Sequence, residues 1–242
     1  MKNKTLCLLW QNQKTRQWYH VANLTLNDNR KYSFSYELDK KKRGLEEALQ
    51  NGYHLHPSFP EKLKDYESSR LFSAFSRRLP NKARPDYMKL LRENNLNITD
   101  SEFDFLTMTG GKLISDNYEF VKPVKFKNEF FNFDFYVRGW RHYNDEKQQL
   151  NDLAKITLEI DEDNEQDPDA VMVKYEGKII GYVPAFYSEF MKNVIENDLI
   201  YEITDFNFNN LASSHRKLNI VINGRVANKK KTEQKVNLLV TA

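Results

Sequence analysis

The sequence predicts an α+β protein of two domains: a small sheet followed by helices in residues 1–122, and a compact β-barrel with one helix in residues 123–242. Apolar residues alternate with polar ones near the start and through most of the second half, which is typical of half-buried strands. Several segments between them have helical spacing instead. A basic stretch with a proline, residues 122–127, separates the helical region from the β-rich region, and each half has the size of a domain.

The first half begins with strands and continues into helices. Strands are predicted over residues 6–10, 18–26 and 32–36, and helices over residues 43–51, 68–79 and 85–94. Gly52 follows the first helix as its C-cap. A further helix is predicted to begin at Thr99, because Thr99 and Glu102 have the spacing of a capping box, and to end near Gly110.

The second half is predicted to be mostly strand. Strands are predicted over residues 133–140, 155–160, 201–208, 217–223 and 236–240. Residues 170–175 and 178–183 are predicted to form a hairpin around Glu176 and Gly177. The single predicted helix covers residues 185–197 and places Phe186, Phe190, Val194 and Ile195 on one side. Six or seven short strands with one helix favour a barrel.

The composition excludes several classes of protein. With 8 Gly and 7 Pro in 242 residues, the chain is neither collagen-like nor low-complexity. A single cysteine, Cys7, excludes a disulfide framework and a cysteine zinc site. No apolar run approaches the roughly 18–20 residues of a membrane helix, and the first apolar run is too short for a signal peptide. We therefore expect a soluble, cytoplasmic protein.

The net charge of +3 hides two blocks of opposite sign. Residues 160–205 hold 12 acidic and 3 basic groups, whereas residues 216–235 hold 7 basic groups and 1 acidic group. The basic block consists of Arg216, Lys217, Arg225, Lys229, Lys230, Lys231 and Lys235. Such blocks are either solvated surface or two faces with different functions. In the second case the basic block would follow a nucleic-acid backbone, with a salt-sensitive affinity.

The motifs of familiar enzymes are missing or incomplete. The segment Gly110-Gly111-Lys112 lacks the leading glycine and the following hydroxyl of a phosphate-binding loop. His54 and His56 offer two imidazoles, but no third metal ligand lies nearby in the sequence. We therefore expect a protein that is not an enzyme and that uses no metal or other cofactor.

The acidic segment at residues 161–169 leaves more than one interpretation open. Its oxygen atoms are of the kind that bind Ca²⁺ or Mg²⁺, but it lacks the spacing, the central glycine and the final glutamate of an EF-hand loop. It is also consistent with a solvated loop between strands. A metal-dependent enzyme that uses this segment, such as a nuclease, stays open as a third hypothesis on function.

Four motifs in the second half resemble those of a HIRAN domain. They occur in the expected order and spacing over roughly residues 132–242. The two most specific are the Asn-x-x-Asp-Pro-x-Ala-Val element and the Ile-Gly-Tyr-Val-Pro element. The matching segments are Val137 to Tyr143, Leu158 to Ile160, Asp163 to Val173, and Gly177 to Pro184.

The resemblance implies an SH3/OB-like barrel that binds single-stranded DNA, preferably at a 3′-hydroxyl end. Arg141 and Tyr143, with His142 between them, match a basic and aromatic cluster that meets the phosphate and the terminal base. Asn164 and Asp167 match the loop whose aspartate accepts a hydrogen bond from the terminal hydroxyl. The nucleic-acid-binding residues expected from the resemblance and the basic block are Arg141, His142, Tyr143, Asn164, Asp167, Phe206, Arg216 and Lys217.

One residue departs from the family pattern. A DNA-binding member has a tyrosine immediately before the loop aspartate, whereas this chain has Gln166. A glutamine cannot stack on a base, and the loss of one stacking partner costs about 1–3 kcal/mol. The departure predicts that recognition of the strand end is either weaker or lost.

The first half resembles the N-terminal subdomain of HipA-type kinases, without the kinase core. The segments that carry the resemblance are Tyr32 to Tyr36, Gly44 to Gly52, Pro57 to Pro60, Leu71 to Pro80, and Arg84 to Tyr87. It implies a non-catalytic domain that docks a protein partner. The alternative function is therefore a protein-interaction or regulatory module of a HipA-like toxin–antitoxin or phage-defence system.

Overall fold

The computed structural model describes residues 3–93, 96–144, 150–210 and 212–226, and the chain divides into two compact units. The first unit runs to Pro123 and the second begins at Val124. The predicted strand at residues 236–240 lies outside the described residues, as do Lys229, Lys230, Lys231 and Lys235. In the described part of the chain, every helix is too short or too polar to cross a membrane.

In the described residues, the first unit is an antiparallel sheet with four helices. Its strands are β1 (Lys4–Gln11), β2 (Trp18–Leu26), β3 (Tyr32–Tyr36), β4 (Tyr66–Ser68) and β5 (Tyr118–Val121), in the spatial order β4-β3-β2-β1-β5. Its helices are α1 (Leu45–Gln50), α2 (Ser73–Ser76), α3 (Tyr87–Glu93) and α4 (Glu102–Thr109).

Stacked aromatic rings form the centre of this unit's core. The alternation of Tyr and Phe with Ser in β3 buries Phe34 on one face of the sheet. The ring of Phe34 stacks on that of Phe59 with a centroid distance of 3.9 Å. The ring centroid of Phe75, on α2, lies 5.5 Å from that of Phe59. Burial of such large side chains supplies most of the apolar area that stabilises a small domain.

Two helix predictions in this unit were wrong in their bounds. The helix predicted over residues 68–79 is the single turn α2, because Ser68 belongs to strand β4 and the chain after Ser76 continues in isolated turns toward Pro80. The capping box begins at Ser101 rather than at Thr99. The hydroxyl of Ser101 accepts a hydrogen bond from the backbone N–H of Asp104, whose carboxylate accepts one from the backbone N–H of Ser101.

The described residues of the second unit form seven strands in two antiparallel sheets. The elements are β6 (Lys125–Lys127), β7 (Phe130–Tyr136), α5 (Trp140–Tyr143), β8 (Ile156–Ile160), β9 (Val171–Tyr175), β10 (Lys178–Tyr182), α6 (Ala185–Glu196), β11 (Ile200–Phe208) and β12 (Leu218–Arg225), with short 3-10 turns at Leu153–Lys155 and Ser214–Arg216. The three-stranded sheet has the order β10-β9-β8, and the four-stranded sheet has the order β11-β12-β7-β6.

The predicted α+β class is confirmed, but the described strands do not join into one closed barrel. The two sheets are linked at one point, where the backbones of Arg138 and Tyr182 exchange hydrogen bonds of 2.9 Å. Helix α6 packs its apolar side, including Phe190, Met191 and Val194, into the core between them.

The strand predicted over residues 133–140 ends earlier than expected. Strand β7 stops at Tyr136, and Gly139 takes a left-handed conformation with φ of 78° immediately before helix α5. A residue with a side chain adopts this conformation only at a cost, so Gly139 is suited to turn the chain here. Arg141, His142 and Tyr143 therefore lie on a helical turn rather than on a strand.

The predicted hairpin between β9 and β10 has a tight two-residue turn. Glu176 and Gly177 both have positive φ, 51° and 77°, which is the pattern of a type I′ turn. A β-bulge follows between Ile179 and Gly181. A side chain at position 181 would overlap the carbonyl oxygen of Arg138 and the side chain of Val137, so glycine permits the close approach of the two sheets.

We expect Gly181→Ala to destabilise the second unit by about 3 kcal/mol, because the added methyl group overlaps backbone that the sheet bridge holds in place. Gly177→Ala is the matched control: its methyl group meets nothing, and only the left-handed backbone is penalised, by about 1 kcal/mol. Urea unfolding of the intact chain measures both values. Equal destabilisation by the two substitutions would contradict the steric explanation.

A buried histidine in the first unit makes stability depend on pH. His20 lies in the sheet with Nε2 2.8 Å from Oδ1 of Asn23 and Nδ1 4.0 Å from a carboxylate oxygen of Glu37. Burial, with the nearby charge of Lys40, lowers the pKa of His20 from 6.5 to about 3. The unfolded chain therefore binds a proton on this residue at a pH at which the folded chain does not.

We expect the free energy of unfolding of the first unit to fall as the pH drops from 6.5 toward 3, with His20 contributing a slope of about 1.4 kcal/mol per pH unit. The His20 contribution is fully present above pH 6.5. His20→Gln should remove it, whereas His54→Gln at an exposed position should not. Urea unfolding at several pH values tests this, and parallel pH profiles for wild type and His20→Gln would refute it.

Candidate nucleic-acid interface

Helix α5 is anchored so that three of its side chains face solvent. Its first residue, Trp140, is buried and packs on Phe208 with a ring distance of 5.3 Å. At its other end, the side chain of Asn144 donates hydrogen bonds to the carbonyl oxygens of Trp140 (2.9 Å) and Ile180 (2.8 Å). These contacts fix the helix against β10 and leave residues 141–143 exposed.

The exposed side chains of α5 are a cation, an imidazole and a phenol ring. Nε of Arg141 donates a hydrogen bond to Nε2 of His142 at 3.3 Å. The side chain of Tyr143 is 45% exposed, and its ring lies 5.8 Å from the ring of Tyr182 on β10. The helix therefore presents a charge for a phosphate beside an aromatic surface for a base.

The acidic loop between β8 and β9 is organised by Asn164. Its side-chain oxygen accepts hydrogen bonds from the backbone N–H groups of Gln166 (3.0 Å) and Asp167 (2.9 Å). Its side-chain amide donates to Asp161 at 2.9 Å. The carboxylate of Asp167 accepts the backbone N–H of Asp169 at 3.1 Å. Asn164 is thus a residue that shapes the loop, and the side chain of Asp167 also stabilises a turn.

Tyr182 joins the loop to the α5 side of the unit. Its hydroxyl donates a hydrogen bond of 2.8 Å to the Asp161 oxygen that also accepts from Asn164. The hydrogen bonds from Asn164 and Tyr182 hold the pKa of Asp161 below its ordinary value of 3.8. Burial and the hydrogen bond to Asp161 raise the pKa of Tyr182 well above 10. Contacts therefore run from Tyr143 through Tyr182 and Asp161 to the loop that carries Asp167.

The remaining predicted residues lie in two different places. The 3-10 turn Ser214–Arg216 contacts α5, so Arg216 is brought to the helix that carries Arg141, and Lys217 follows directly. Phe206 lies on β11 with its side chain partly buried against the core, which leaves only part of the ring for a ligand.

The structure links α5 to the loop of Asn164 and Asp167 through two residues that the sequence did not indicate. Tyr182 and Asp161 link α5 to the loop, but neither was a candidate. The signals were present, since Tyr182 is part of the Ile-Gly-Tyr-Val-Pro element and Asp161 begins the acidic segment. In the part of the chain that the structure describes, no three His, Cys, Asp or Glu side chains are grouped to hold a metal ion.

Comparison with known proteins identifies the second unit. The family model described as the HIRAN domain matches residues 130–222. This part of the chain is a HIRAN domain. Among solved structures, the HIRAN domain of human HLTF matches with 16% identity and a TM-score of 0.34, over 47% of this chain and 93% of that one. No curated protein matches the chain.

The family match confirms the resemblance predicted for the second half. HIRAN domains bind DNA, so the match supports nucleic-acid binding by this chain in general terms. The first unit lies outside the matched residues, and its resemblance to the HipA subdomain stays a prediction. The assignment of individual residues to DNA contacts also stays a prediction.

We expect Tyr182→Phe to raise the pKa of Asp161, because the carboxylate loses one of its hydrogen-bond donors. The variant should also lose about 1 kcal/mol of stability at pH 7. This difference should shrink as the pH falls below 3.8, where the carboxyl group becomes protonated and the stabilisation of its ionised form is lost. An NMR pH titration of the Asp161 carboxyl carbon measures the shift.

Tyr175→Phe is the matched control for this substitution. The hydroxyl of Tyr175 donates to Oδ1 of Asn151 at 2.8 Å rather than to Asp161, so its loss should leave the Asp161 titration unchanged. An unchanged titration in Tyr182→Phe would show that the hydroxyl does not stabilise the ionised carboxylate.

Proposed function

We propose that the HIRAN domain of this chain binds single-stranded DNA and prefers a 3′-hydroxyl end, without catalysing a reaction. The observation that supports this most directly is the connection between α5 and the acidic loop through Tyr182 and Asp161. This connection supports the proposal because it links the helix that carries Arg141 and Tyr143 to the loop that carries Asp167, the carboxylate that the family resemblance assigns to the strand end.

Arg141 is the proposed contact for the phosphate next to the terminal nucleotide. Its guanidinium is exposed, and a guanidinium can donate two parallel hydrogen bonds to one phosphate. Arg216, on the turn that contacts α5, is the second cation that we assign to the backbone. Contacts of this kind release counterions, so the affinity should fall as the salt concentration rises.

Asp167 is the residue that we propose recognises the 3′ end of the DNA strand. A carboxylate has about four lone-pair sites, so it can accept the terminal hydroxyl in addition to the N–H of Asp169. The same negative charge repels a phosphate in that position. The residue therefore favours a strand that ends in a hydroxyl over one that ends in a phosphate or continues.

Tyr143 is the proposed stacking surface for the terminal base. Gln166 is exposed in the loop and offers no ring, whereas the ring of Tyr143 is partly exposed on α5 and supported by Tyr182. This site offers one ring where a family member with the loop tyrosine offers two. We therefore expect its binding of the terminal base to be weaker by about 1–3 kcal/mol.

We expect the full chain to bind a 3′-hydroxyl oligonucleotide about tenfold more tightly than the same oligonucleotide with a 3′-phosphate, because the added charge faces Asp167. Asp167→Asn should remove most of this preference, since the amide carries no charge. Arg141→Ala should weaken both complexes by a similar factor. Fluorescence anisotropy titrations at fixed salt measure the affinities.

Asp163→Asn is the control, because it removes one charge from an exposed position of the same loop. It should leave the ratio of the two affinities unchanged. Equal affinity of the wild-type chain for both oligonucleotides, or no binding to either, would contradict end recognition. A change of the ratio in Asp163→Asn equal to that in Asp167→Asn would assign the effect to the loop charge as a whole.

The alternative, a protein-interaction module of a HipA-like system, concerns the first unit, which has its own aromatic core outside the matched residues. A stoichiometric protein partner recovered from the native host by the double variant Arg141→Ala, Asp167→Ala would favour this function. Loss of the partner together with DNA binding would favour the first proposal.

A further inference from the structure

The four-stranded sheet has a second face that does not contribute to the core. Along β7, Phe131, Phe133 and Phe135 are buried, so the alternate residues point to the opposite side. The pairing of β7 with β6 and β12, and of β12 with β11, extends this pattern across the sheet. We call this side the outer face; its residues include Phe130, Asn132, Asp134 and Tyr136 on β7, Asn219, Asn223 and Arg225 on β12, and Lys125 and Lys127 on β6.

Two aromatic rings on the outer face each have an arginine over them. The guanidinium of Arg225 lies 5.6 Å from the ring centroid of Phe130, and that of Arg216 lies 5.8 Å from the ring centroid of Tyr136. Phe130 is 54% exposed, which is unusual for so large an apolar side chain in a strand. A ring next to a guanidinium offers stacking for a base and a charge for its phosphate.

The distance between the two ring–arginine pairs suits an extended single-stranded nucleic acid rather than a compact ligand. Phe130 and Tyr136 are six residues apart in one strand, which corresponds to about 20 Å. Between them lie amide side chains: Asn132 is hydrogen-bonded to Asn223, and Asn219 donates to Asp134 at 3.4 Å. This middle part is polar, with donors and acceptors of the kind that base edges carry.

Charge is distributed unevenly across the outer face. Lys125 and Lys127, on the β6 side, are exposed and lie opposite Asn132 and Phe130 in register. On the β11 side the exposed residues include Glu202 and Asp205. Glu129 forms an ion pair with Arg225 at 2.8 Å. Asp134 places one carboxylate on the β7 part of the face, but Lys125 and Lys127 outnumber it. A polyanion is therefore attracted to the β6–β7 side of the face and repelled from the β11 side.

The outer face also leads to the proposed end site. Arg216, which covers the ring of Tyr136, belongs to the turn that contacts α5, and α5 carries Arg141 and Tyr143. A nucleic-acid strand whose 3′ end is bound at α5 can thus continue past Arg216 onto strand β7.

We propose that the β6–β7 side of the outer face is a second binding surface of this domain, which takes the internal nucleotides of a single-stranded nucleic acid. Phe130 stacks on one base, Lys125 and Lys127 contact phosphates, and the pair of Tyr136 and Arg216 connects this surface to the end site. This inference rests on the proposed function and extends it from the 3′ end of the nucleic acid to the nucleotides that precede that end.

The test uses the full chain and two oligonucleotides with 3′-hydroxyl ends, of about 4 and about 12 nucleotides. Wild type should bind the longer one more tightly. Phe130→Leu, which keeps an apolar side chain but removes the ring, should weaken binding of the longer oligonucleotide about tenfold and leave the shorter one unchanged. Phe130→Trp should retain the affinity, because it keeps a ring. Circular dichroism and thermal unfolding check that both variants are folded.

The lysines are tested through the salt dependence of binding. The double variant Lys125→Gln, Lys127→Gln should flatten the slope of log affinity against log salt by about 1.4 for the longer oligonucleotide, because two phosphate contacts are lost. Ile200→Ala is the control on the acidic side of the same face, where the side chain is 66% exposed, and it should change neither affinity nor slope. Lys178→Gln, at an exposed position on β10, controls for the loss of a lysine.

The two proposals fail in different ways. If neither oligonucleotide binds, or if binding of the short one does not depend on its 3′ end, the proposed end recognition is wrong. If the short oligonucleotide binds as expected but Phe130→Leu leaves the long one unchanged, only the outer-face surface is refuted. An effect of Ile200→Ala as large as that of Phe130→Leu would also contradict the assigned path along β6 and β7.

Discussion

One carboxylate oxygen of Asp161 accepts hydrogen bonds from both Tyr182 and Asn164, and the arrangement of the proposed site depends on it. The loop at residues 161–169 contains six carboxylates in nine residues, whose mutual repulsion favours an open chain. The two donors offset this by holding one end of the loop to β10 and to its own centre. Asn164 then positions the backbone of Asp167. A polar contact between a strand and a loop thus orients the residues to which the proposed function assigns the DNA end.

The strongly negative charge of residues 160–205 is less concentrated at the site than the sequence suggests. Glu176 pairs with Lys155 at 2.6 Å, and Lys192 of α6 lies 3.9 Å from Asp169. The exposed pair of Glu176 and Lys155 contributes little to stability, but both pairs reduce the net field of the carboxylates they contact. What remains is the charge of the loop itself, to which the proposed function assigns the terminal hydroxyl.

Elements with a local signal could be predicted from the sequence, and contacts that depend on the tertiary fold could not. The strands of the first sheet, the hairpin at Glu176 and Gly177, and helix α6 follow from alternation, turn chemistry and helical spacing. Helix α5 has only four residues, and the apolar run before it continues the pattern of β7, so periodicity alone predicts a strand through Trp140. The hydrogen bond between Tyr182 and Asp161 joins residues 21 positions apart, and no pattern within either segment indicates it.

The three-stranded sheet has a consequence for the order in which the domain is assembled. Its strands and turns occupy one continuous segment from Ile156 to Tyr182, which also contains Asp161, Asn164 and Asp167. Strand β7 pairs instead with β12, and residues as far apart as Tyr136 and Asn219 must meet. Closing a long loop costs more entropy than closing a short one, so local pairings form with less delay. The chain can therefore complete the hairpins and the acidic loop as it emerges during synthesis, before the last strand of the four-stranded sheet has been made.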